Sequence, residues 1–219
     1  MIPLVHDFDG ETVLVFGGGT VGARKARRFA REARVVVVSP TFADADFGAS
    51  EFVRAAPTPD DVTAWLDAAD PALVVAATDD AALNAAVEAA ARERGILVNR
   101  ADRSGGRSRG SVVVPATVGD GPVGVAVTTG GTSPAVSRHL RRELASVVEG
   151  AGAVATVVGE LREELKDGDV DPDRRRAAIR AVAESEAVWT AAREGGDEAV
   201  REAAERVLAD ALDDGDDAA

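Results

Sequence analysis

A glycine-rich turn is the part of the sequence whose residue types and spacing point most directly to chemistry. Gly17, Gly19 and Gly22 form a G-x-G-x-x-G pattern that Thr20 and Val21 complete. The first glycine permits a tight turn, the second lets a diphosphate approach the backbone, and the third lets a helix pack closely on a strand. The free N–H groups at the start of that helix would face the diphosphate. The pattern predicts a dinucleotide-binding site, and the alternative is a purely structural turn.

A second group of chemically capable residues centres on one carboxylate. Asp102 stands among four arginines, namely Arg100, Arg103, Arg107 and Arg109. An aspartate that follows a strand of a parallel sheet lies where ligands of α/β proteins bind, and it can accept a proton. Arginine side chains pair bidentately with carboxylates, so the cluster suits an acidic ligand. The alternatives are an aspartate that caps a turn and a solvated basic loop.

A third candidate is a turn that leads from a strand pattern into a helix pattern. It consists of Thr129, Gly130, Gly131, Thr132 and Ser133. Its backbone N–H groups could receive a carboxylate or a phosphate. Because Ser133 suits a helix N-cap and is followed by proline, the alternative is a structural cap without a ligand.

These residues need elements that bring them together, and the first half of the chain supplies alternating strands and helices. Continuous apolar runs at 12–16, 35–38, 72–77 and 96–99 predict strands covered on both faces, as in parallel sheets. Helix patterns follow at 23–33 and 81–94, the second after a capping aspartate. The sequence therefore predicts an α/β fold with a Rossmann-type parallel sheet over residues 1–112.

The pattern changes after residue 112. Strands are predicted at 111–115 and 123–128, joined by a turn at 119–121, and a helix follows from 134. The chain beyond is almost wholly helical in pattern. We therefore divide it into residues 113–145 and a helical C-terminal domain at 146–219.

The composition excludes several function classes. The 219-residue chain has a formal net charge of -13, which argues against nucleic-acid or anionic-membrane binding. It has no cysteine and two histidines, so thiolate and histidine-rich metal sites are excluded, and no metal site is predicted. Since the chain has no tyrosine, it lacks the Tyr-x-x-x-Lys pair of short-chain reductases.

The composition also bears on location. The sequence has no 18-residue apolar stretch and no export signal at its N-terminus, so we predict a cytoplasmic protein without a membrane span. The excess of acidic residues and the presence of only two lysines resemble the composition of proteins adapted to a salt-rich cytoplasm. A genome rich in G and C is the alternative source of this composition.

Several motifs occur together and in order. They are the glycine turn with Arg24-Lys25, then Ala76-Ala77-Thr78-Asp79-Asp80, Val98-Asn99-Arg100-Ala101-Asp102, Val114-Pro115-Ala116, and Val127-Thr128 leading into the turn from Thr129 to Pro134. Together they resemble the precorrin-2 dehydrogenase family, which includes the N-terminal module of siroheme synthase. The resemblance covers residues 1 to about 145 by motif, and the helical remainder only by length and character.

The resemblance implies NAD-dependent oxidation of precorrin-2 to sirohydrochlorin, and some family members also insert Fe²⁺. It implies a homodimer, with residues 113–145 as a small dimerisation segment. Asp102 matches the aspartate that the family uses in its chemistry. Because the tetrapyrrole substrate is a polycarboxylate, the resemblance assigns substrate contacts to the four arginines around Asp102 and to the turn at 129–133.

The resemblance also gives NAD as the cofactor. Beyond the glycine turn, the predicted contacts are Ser39, Pro40, Thr78, Asp79 and Asn99, near the ends of three strands. NAD-binding domains often carry an acid at the end of the second strand, but this chain has Ser39 and Pro40 there, with no adjacent arginine in sequence. Local charge therefore does not separate NAD from NADP. A non-catalytic nucleotide- or tetrapyrrole-binding module remains the alternative function.

Overall fold

A computed structural model describes residues 3–103, 111–166, 168 and 170–213. The chain divides into two compact units, Met1–Val114 and Pro115–Ala219. The predicted boundary at 112 lies close to this division. The other predicted boundary, at 145, falls inside a helix of the second unit, and a separate dimerisation segment stays a prediction.

The first unit is a parallel sheet of five strands with three helices. The strands β1 (Thr12–Phe16), β2 (Arg34–Ser39), β3 (Glu51–Arg54), β4 (Leu73–Ala76) and β5 (Leu97–Arg100) lie in the order β3-β2-β1-β4-β5. The helices are α1 (Thr20–Phe29), α2 (Val62–Ala69) and α3 (Ala81–Glu93), with a 3₁₀ turn at Pro59–Asp61. The predicted α/β class with a Rossmann-type sheet is confirmed.

The apolar runs form central strands because helices cover both faces of the sheet. Leu14 and Val74 pack in a buried cluster with residues of α2 and α3. Val13, Val15 and Val75 pack in a second cluster with residues of α1. Successive side chains of a strand point to opposite faces, so each run fills both clusters and has no polar side.

The strand order creates a switch point beside β1. β1 pairs with β2 on one side and with β4 on the other, both in parallel. The chain therefore leaves β1 toward one side of the sheet and returns on the other, and a crevice opens at the carboxyl ends of these strands. The backbone N–H of Gly17 donates to the carbonyl of Val38 at 3.0 Å, which anchors the glycine turn at this edge.

The second unit begins with an antiparallel hairpin and continues as helices. The hairpin strands are β6 (Ala116–Asp120) and β7 (Val123–Val127). The helices are α4 (Pro134–Val147), α5 (Ala151–Lys166), α6 (Pro172–Glu184), α7 (Glu186–Glu194) and α8 (Asp197–Asp213). Val154, Val157, Leu161, Val182 and Val200 are buried together among α5, α6 and α8, which confirms the predicted helical C-terminal part.

The predicted strand at 111–115 is wrong. Within the described residues of that range, only Ser111 pairs, in an isolated bridge with Val98. The hairpin strand starts at Ala116, directly after a proline that has no N–H to donate to a ladder. The tight turn is also displaced, because Gly121 adopts φ 52° while Gly119 pairs with Gly124 inside the hairpin.

No single helix in the described part of the chain has both the length and the apolar composition to cross a membrane. Only the pair α4 and α5, taken together, meets both criteria there, and the two helices meet at a bend of 53°.

Candidate functional site

A cavity of about 770 Å³ lies at the carboxyl ends of β1, β2 and β4. Most of the predicted cofactor contacts line it, namely Gly17, Gly19, Thr20, Val21, Ser39, Pro40, Thr78 and Asp79. Gly22 and Asn99 are not part of this lining. Phe42, Ala43, Ala56 and Pro57 also line the cavity, and sequence reasoning did not single them out.

The three motif glycines differ in what surrounds them. Gly17 has φ 117°, and a Cβ there would lie 2.4 Å from the carbonyl oxygen of Ala77. A Cβ on Gly22 would lie 1.9 Å from the carbonyl oxygen of Gly17. These two positions require glycine for the fold itself, because any side chain would collide with backbone atoms.

Gly19 is free of such conflict. Nothing lies within 4 Å of the position that its Cβ would occupy, and its backbone is extended, with φ -77° and ψ -179°. No side chain caps the helix α1 that begins after it. The open face of Gly19 and the N–H donors of an uncapped helix fit a diphosphate, so the cavity is suited to a dinucleotide.

Thr78 connects this cavity to helix α3. Its hydroxyl lies 2.7 Å from Oδ1 of Asn84, and the Asn84 Nδ2 donates to the Thr78 carbonyl at 2.8 Å. Asp80 accepts from the N–H groups of Ala82 and Leu83 and so caps α3. Asn84 is buried, and its hydrogen bonds with Thr78 hold the strand-to-helix turn at the cavity wall.

A second cluster surrounds Asp102. The Arg100 guanidinium grips this carboxylate bidentately, with Nε 2.8 Å from Oδ1 and Nη2 2.6 Å from Oδ2. The Nη1 of Arg100 donates to Oε2 of Glu88 at 2.8 Å. The side chain of Arg100 is only 6% exposed and that of Glu88 only 10%, whereas that of Asp102 is 27% exposed. Asp102 is therefore the member of the cluster that solvent or a ligand can reach.

The hydrogen bonds from Arg100 lower the pKa of Asp102 below its ordinary value, and burial opposes this only in part. A smaller contribution comes from a hydrogen bond with the Asn84 side chain. Asn84 thus contacts both Thr78 on the cavity wall and Asp102. Asp102 is ionised at neutral pH and is held in one orientation.

The other predicted arginines differ in their surroundings. Arg103 is exposed, with its Nη1 3.9 Å from Oε2 of Glu88. Arg107 and Arg109 lie outside the described residues. Arg100 is occupied by two carboxylates of the protein itself, so a substrate carboxylate would reach its guanidinium only by displacing one of them.

Asn99, in the last strand of the sheet, has an unsatisfied acceptor. Its Nδ2 donates to the carbonyl of Val112 at 2.8 Å. Its Oδ1 is buried and has no hydrogen-bond partner among the described residues. A buried acceptor without a partner is costly, so a donor from a ligand would stabilise this position.

The turn from Thr129 to Ser133 is built as a helix cap. The Thr129 hydroxyl accepts from the N–H of Ser133 at 3.2 Å, and the Ser133 hydroxyl accepts from the N–H of Val136 at 3.3 Å. Gly130 and Gly131 have φ 66° and 88°, which favours glycine at both positions. The predicted N-cap and Pro134 start of α4 are confirmed, while substrate contact by this turn stays a prediction.

Comparison with known proteins places the chain in a family. A family model described as putative NAD(P)-binding matches residues 4–116, and one described as sirohaem biosynthesis protein central matches residues 120–146. A precorrin-2 dehydrogenase of Methanosarcina barkeri is 34% identical over 217 residues, which is 95% of this chain and 92% of that protein. The chain belongs to the precorrin-2 dehydrogenase family.

Further likenesses agree with this assignment. Siroheme synthase 2 of Aeromonas hydrophila is 38% identical over 83% of this chain, which matches only 38% of that longer protein. The solved structure of SirC, precorrin-2 dehydrogenase, has a TM-score of 0.69 at 23% identity and covers 94% of this chain and 98% of its own, so the two share a fold. The family, the oxidoreductase class and the NAD cofactor predicted from the motifs are confirmed.

Two site residues of this precorrin-2 dehydrogenase family member escaped sequence reasoning. Asn84 and Glu88 stand four residues apart on α3 and are both buried. They share the inward side of the helix with Leu83, Val87 and Ala91. Polar residues within an apolar helical stripe were the available signal, since a buried polar group needs a partner.

Proposed function

We propose that this protein oxidises precorrin-2 to sirohydrochlorin with NAD⁺, and that Asp102 is the proton acceptor. The proposal is carried by a series of side-chain contacts that connects the cavity at the glycine turn to the Asp102 carboxylate. Thr78 lines the cavity and bonds Asn84, which also bonds Asp102. The cavity would hold the dinucleotide through Gly17, Gly19 and the start of α1, with Ser39 near the adenosine ribose.

The roles of the protein's own groups follow from their charge and placement. When bound, NAD⁺ accepts the hydride that precorrin-2 gives up. A carboxylate oxygen of Asp102 takes the proton that the macrocycle loses in the same oxidation. Because Arg100 and Asn84 both hydrogen-bond this carboxylate, they hold it in the orientation in which it would receive the proton. Asn99 Oδ1 would accept a hydrogen bond from the bound cofactor.

Substrate binding is assigned to cationic and backbone donors. Arg103 is exposed, and the closest carboxylate among the described residues is 3.9 Å away, so its guanidinium is open to a substrate carboxylate. Arg107 and Arg109 belong to the same proposed set. Substrate contact by the turn from Thr129 to Ser133 is a separate proposal, which rests on the family resemblance. The main role of Arg100 is to orient Asp102, because its guanidinium is already paired with the carboxylates of Glu88 and Asp102.

The Asp102 role is tested by turnover with precorrin-2 and NAD⁺, followed as NADH and sirohydrochlorin absorbance. Asp102→Asn should lower kcat by about 10²–10³-fold, as expected for loss of a proton acceptor, with the NAD⁺ dissociation constant unchanged within about threefold. Asp210→Asn, at an exposed aspartate of α8, is the matched control. Full kcat in Asp102→Asn would contradict the role, and ligand binding without any turnover by the natural protein would favour a non-catalytic module.

The proposed homodimer rests on the surface of α4. This helix has no buried residue although it carries large apolar side chains. Val136, Leu140 and Val147 are exposed by 47%, 41% and 65%. A helix that leaves large apolar side chains uncovered is typical of an interaction surface. Sedimentation should give twice the chain mass, and Leu140→Glu should shift it to the monomer. A monomeric natural protein at micromolar concentration would contradict the dimer.

Iron insertion and location remain predictions from resemblance and composition. Among the described residues, no three His, Cys, Asp or Glu side chains are grouped as a metal site. Supplying Fe²⁺ with sirohydrochlorin and following siroheme absorbance tests ferrochelation directly. Cytoplasmic location is tested by fractionation of cells that produce the full chain.

A further inference from the structure

An arginine borders the cofactor cavity although the sequence shows none next to the end of β2. Arg54 ends β3, and the parallel pairing of β2 with β3 sets it beside Ser39. Its Nη1 donates to the carbonyl of Pro40 at 3.1 Å. Its guanidinium carbon also lies 5.5 Å from the ring centroid of Phe42. Ser39, Pro40 and Phe42 all line the cavity, so the guanidinium stands at its rim.

The charge of Arg54 is not balanced locally. Its side chain is exposed, and no carboxylate among the described residues lies within 4.0 Å of it. Its strand neighbour Glu51 is paired with Arg34 instead, at 2.8 Å. In a chain with a net charge of -13, an arginine without an acidic partner at the mouth of a ligand cavity is an anion-binding candidate.

The position within the fold indicates which anion is suitable. In dinucleotide-binding domains, the residue at the end of the second strand meets the adenosine ribose, an acid there selects its free 2′-hydroxyl, and a nearby arginine accommodates a 2′-phosphate. This chain has a hydroxyl at Ser39 and the Arg54 guanidinium beside it. We propose that Ser39 and Arg54 form a subsite for the ribose 2′-phosphate, so that the protein accepts NADP⁺ as well as NAD⁺. The proposal rests on the proposed function, since it concerns the same cavity.

A purely structural role for Arg54 makes a different prediction. If its only task is to hold the Pro40 carbonyl, its removal disturbs the cavity wall and weakens every adenine nucleotide alike. If it binds the 2′-phosphate, its removal weakens only nucleotides that carry this group. Binding of 2′,5′-ADP compared with AMP separates the two, because the compounds differ in that phosphate alone.

The experiment is calorimetry of the full chain with 2′,5′-ADP and with AMP at one fixed ionic strength. The natural protein should bind 2′,5′-ADP at least as tightly as AMP. Arg54→Gln should weaken binding of 2′,5′-ADP by about tenfold or more, as expected for loss of one charge-assisted contact, and change binding of AMP by less than about threefold. Arg31→Gln, which removes an exposed charge two residues beyond the C-terminal end of α1, is the matched control and should change neither.

Several outcomes would overturn the subsite. They are an equal loss for both nucleotides in Arg54→Gln, an equal loss in the Arg31→Gln control, and tenfold weaker binding of 2′,5′-ADP than of AMP by the natural protein. Failure of both nucleotides to bind would instead overturn the proposed function, and the subsite with it. As a second readout, the ratio of kcat/KM for NADP⁺ to that for NAD⁺ should fall by about tenfold in Arg54→Gln and stay constant in Arg31→Gln.

Discussion

At the scale of single residues, one buried glutamate organises the charges around the proposed proton acceptor. Glu88 Oε2 lies 2.8 Å from Arg100, and Oε1 lies 3.0 Å from Arg92. Burying the Arg100 guanidinium would be unfavourable without such a partner. Glu88 supplies the compensating charge from one side and Asp102 from the other, so both carboxylates keep the arginine in place.

Replacing this glutamate tests its importance for stability. Glu88→Gln should lower the free energy of unfolding by about 2–4 kcal/mol, because it leaves the buried Arg100 with one anionic partner in place of two. Urea denaturation monitored by circular dichroism measures the change. Glu93→Gln, at an exposed glutamate of the same helix, should stay within about 0.5 kcal/mol of the natural protein. Equal stability of the two variants would contradict a structural ion pair.

Residue-level prediction succeeded where local sequence determines geometry. The glycine turn, the Ser133 cap and an aspartate cap at position 79 or 80 depend on a few consecutive residues, and each was predicted. Glu88 and Arg54 were missed because their importance comes from residues twelve to fifteen positions away in the chain. Strand pairing creates such contacts, and one sequence does not specify them without the sheet order.

At the scale of elements, continuous apolar runs located the central strands because both faces of the sheet are covered. The same rule failed for the valine run at 112–114. β-branched composition favours a strand only where a partner edge is available, and Pro115 interrupts the ladder before the hairpin begins. The hairpin register then follows from Gly121, whose left-handed backbone sets the turn.

The start of α1 should separate folding from cofactor binding. A methyl group at position 19 meets nothing within 4 Å, so Gly19→Ala should fold, with a loss of stability of no more than about 1 kcal/mol from the poorer N-cap. It should weaken NAD⁺ binding by about tenfold or more, because the methyl group occupies the space that the diphosphate needs. Calorimetry and urea denaturation measure the two effects.

A second glycine in an open environment, Gly159, provides the control for the Gly19→Ala variant. Gly159→Ala also adds a methyl group with nothing within 4 Å, but in the middle of α5, far along the chain from the cofactor turn. It should bind NAD⁺ as the natural protein does and gain up to about 1 kcal/mol in stability. Unaltered NAD⁺ affinity in Gly19→Ala would show that the diphosphate lies elsewhere.

Helix α1 also carries a lysine with unusual acidity. Burial lowers the pKa of Lys25 to about 8, and repulsion from Arg24 and Arg28 adds to the effect. Between pH 8 and the ordinary lysine pKa near 10.5, the unfolded chain holds the proton that the folded chain has lost. The Lys25 contribution to the free energy of unfolding therefore rises with pH across this window, and Lys25→Met should abolish that rise.

Competitive acylation followed by mass spectrometry gives the Lys25 titration directly. The chain has only two lysines, so Lys166 provides an internal reference for the reagent. Lys25 acylation should reach half its maximum near pH 8. Arg24→Gln should move that midpoint upward, since it removes one repelling charge. A Lys25 midpoint above pH 10 would contradict the lowered pKa.

At the scale of the whole molecule, the charge is unevenly distributed. The chain carries 38 acidic and 25 basic side chains, but α1 has Arg24, Lys25, Arg27 and Arg28 and no acidic residue. Self-repulsion of the acidic surface opposes the compact state, while the basic helix gives the cofactor side a locally positive field. The acidic composition predicts a protein suited to high ionic strength.

The final prediction concerns this net charge. Raising KCl from about 0.05 to about 1 M shortens the Debye length from over 10 Å to about 3 Å, so it screens repulsion between acidic side chains. It also screens exposed ion pairs such as Arg34–Glu51, but each exposed pair contributes only about 0–1 kcal/mol. With thirteen more acids than bases at pH 7, repulsion outweighs these pairs, and the free energy of unfolding should rise with KCl. The gain should shrink at pH 5, close to the isoelectric point of 4.6, where the net charge is small. Denaturation by urea, which carries no charge, measures both series, and a fall in stability with salt at pH 7 would show that the ion pairs dominate instead.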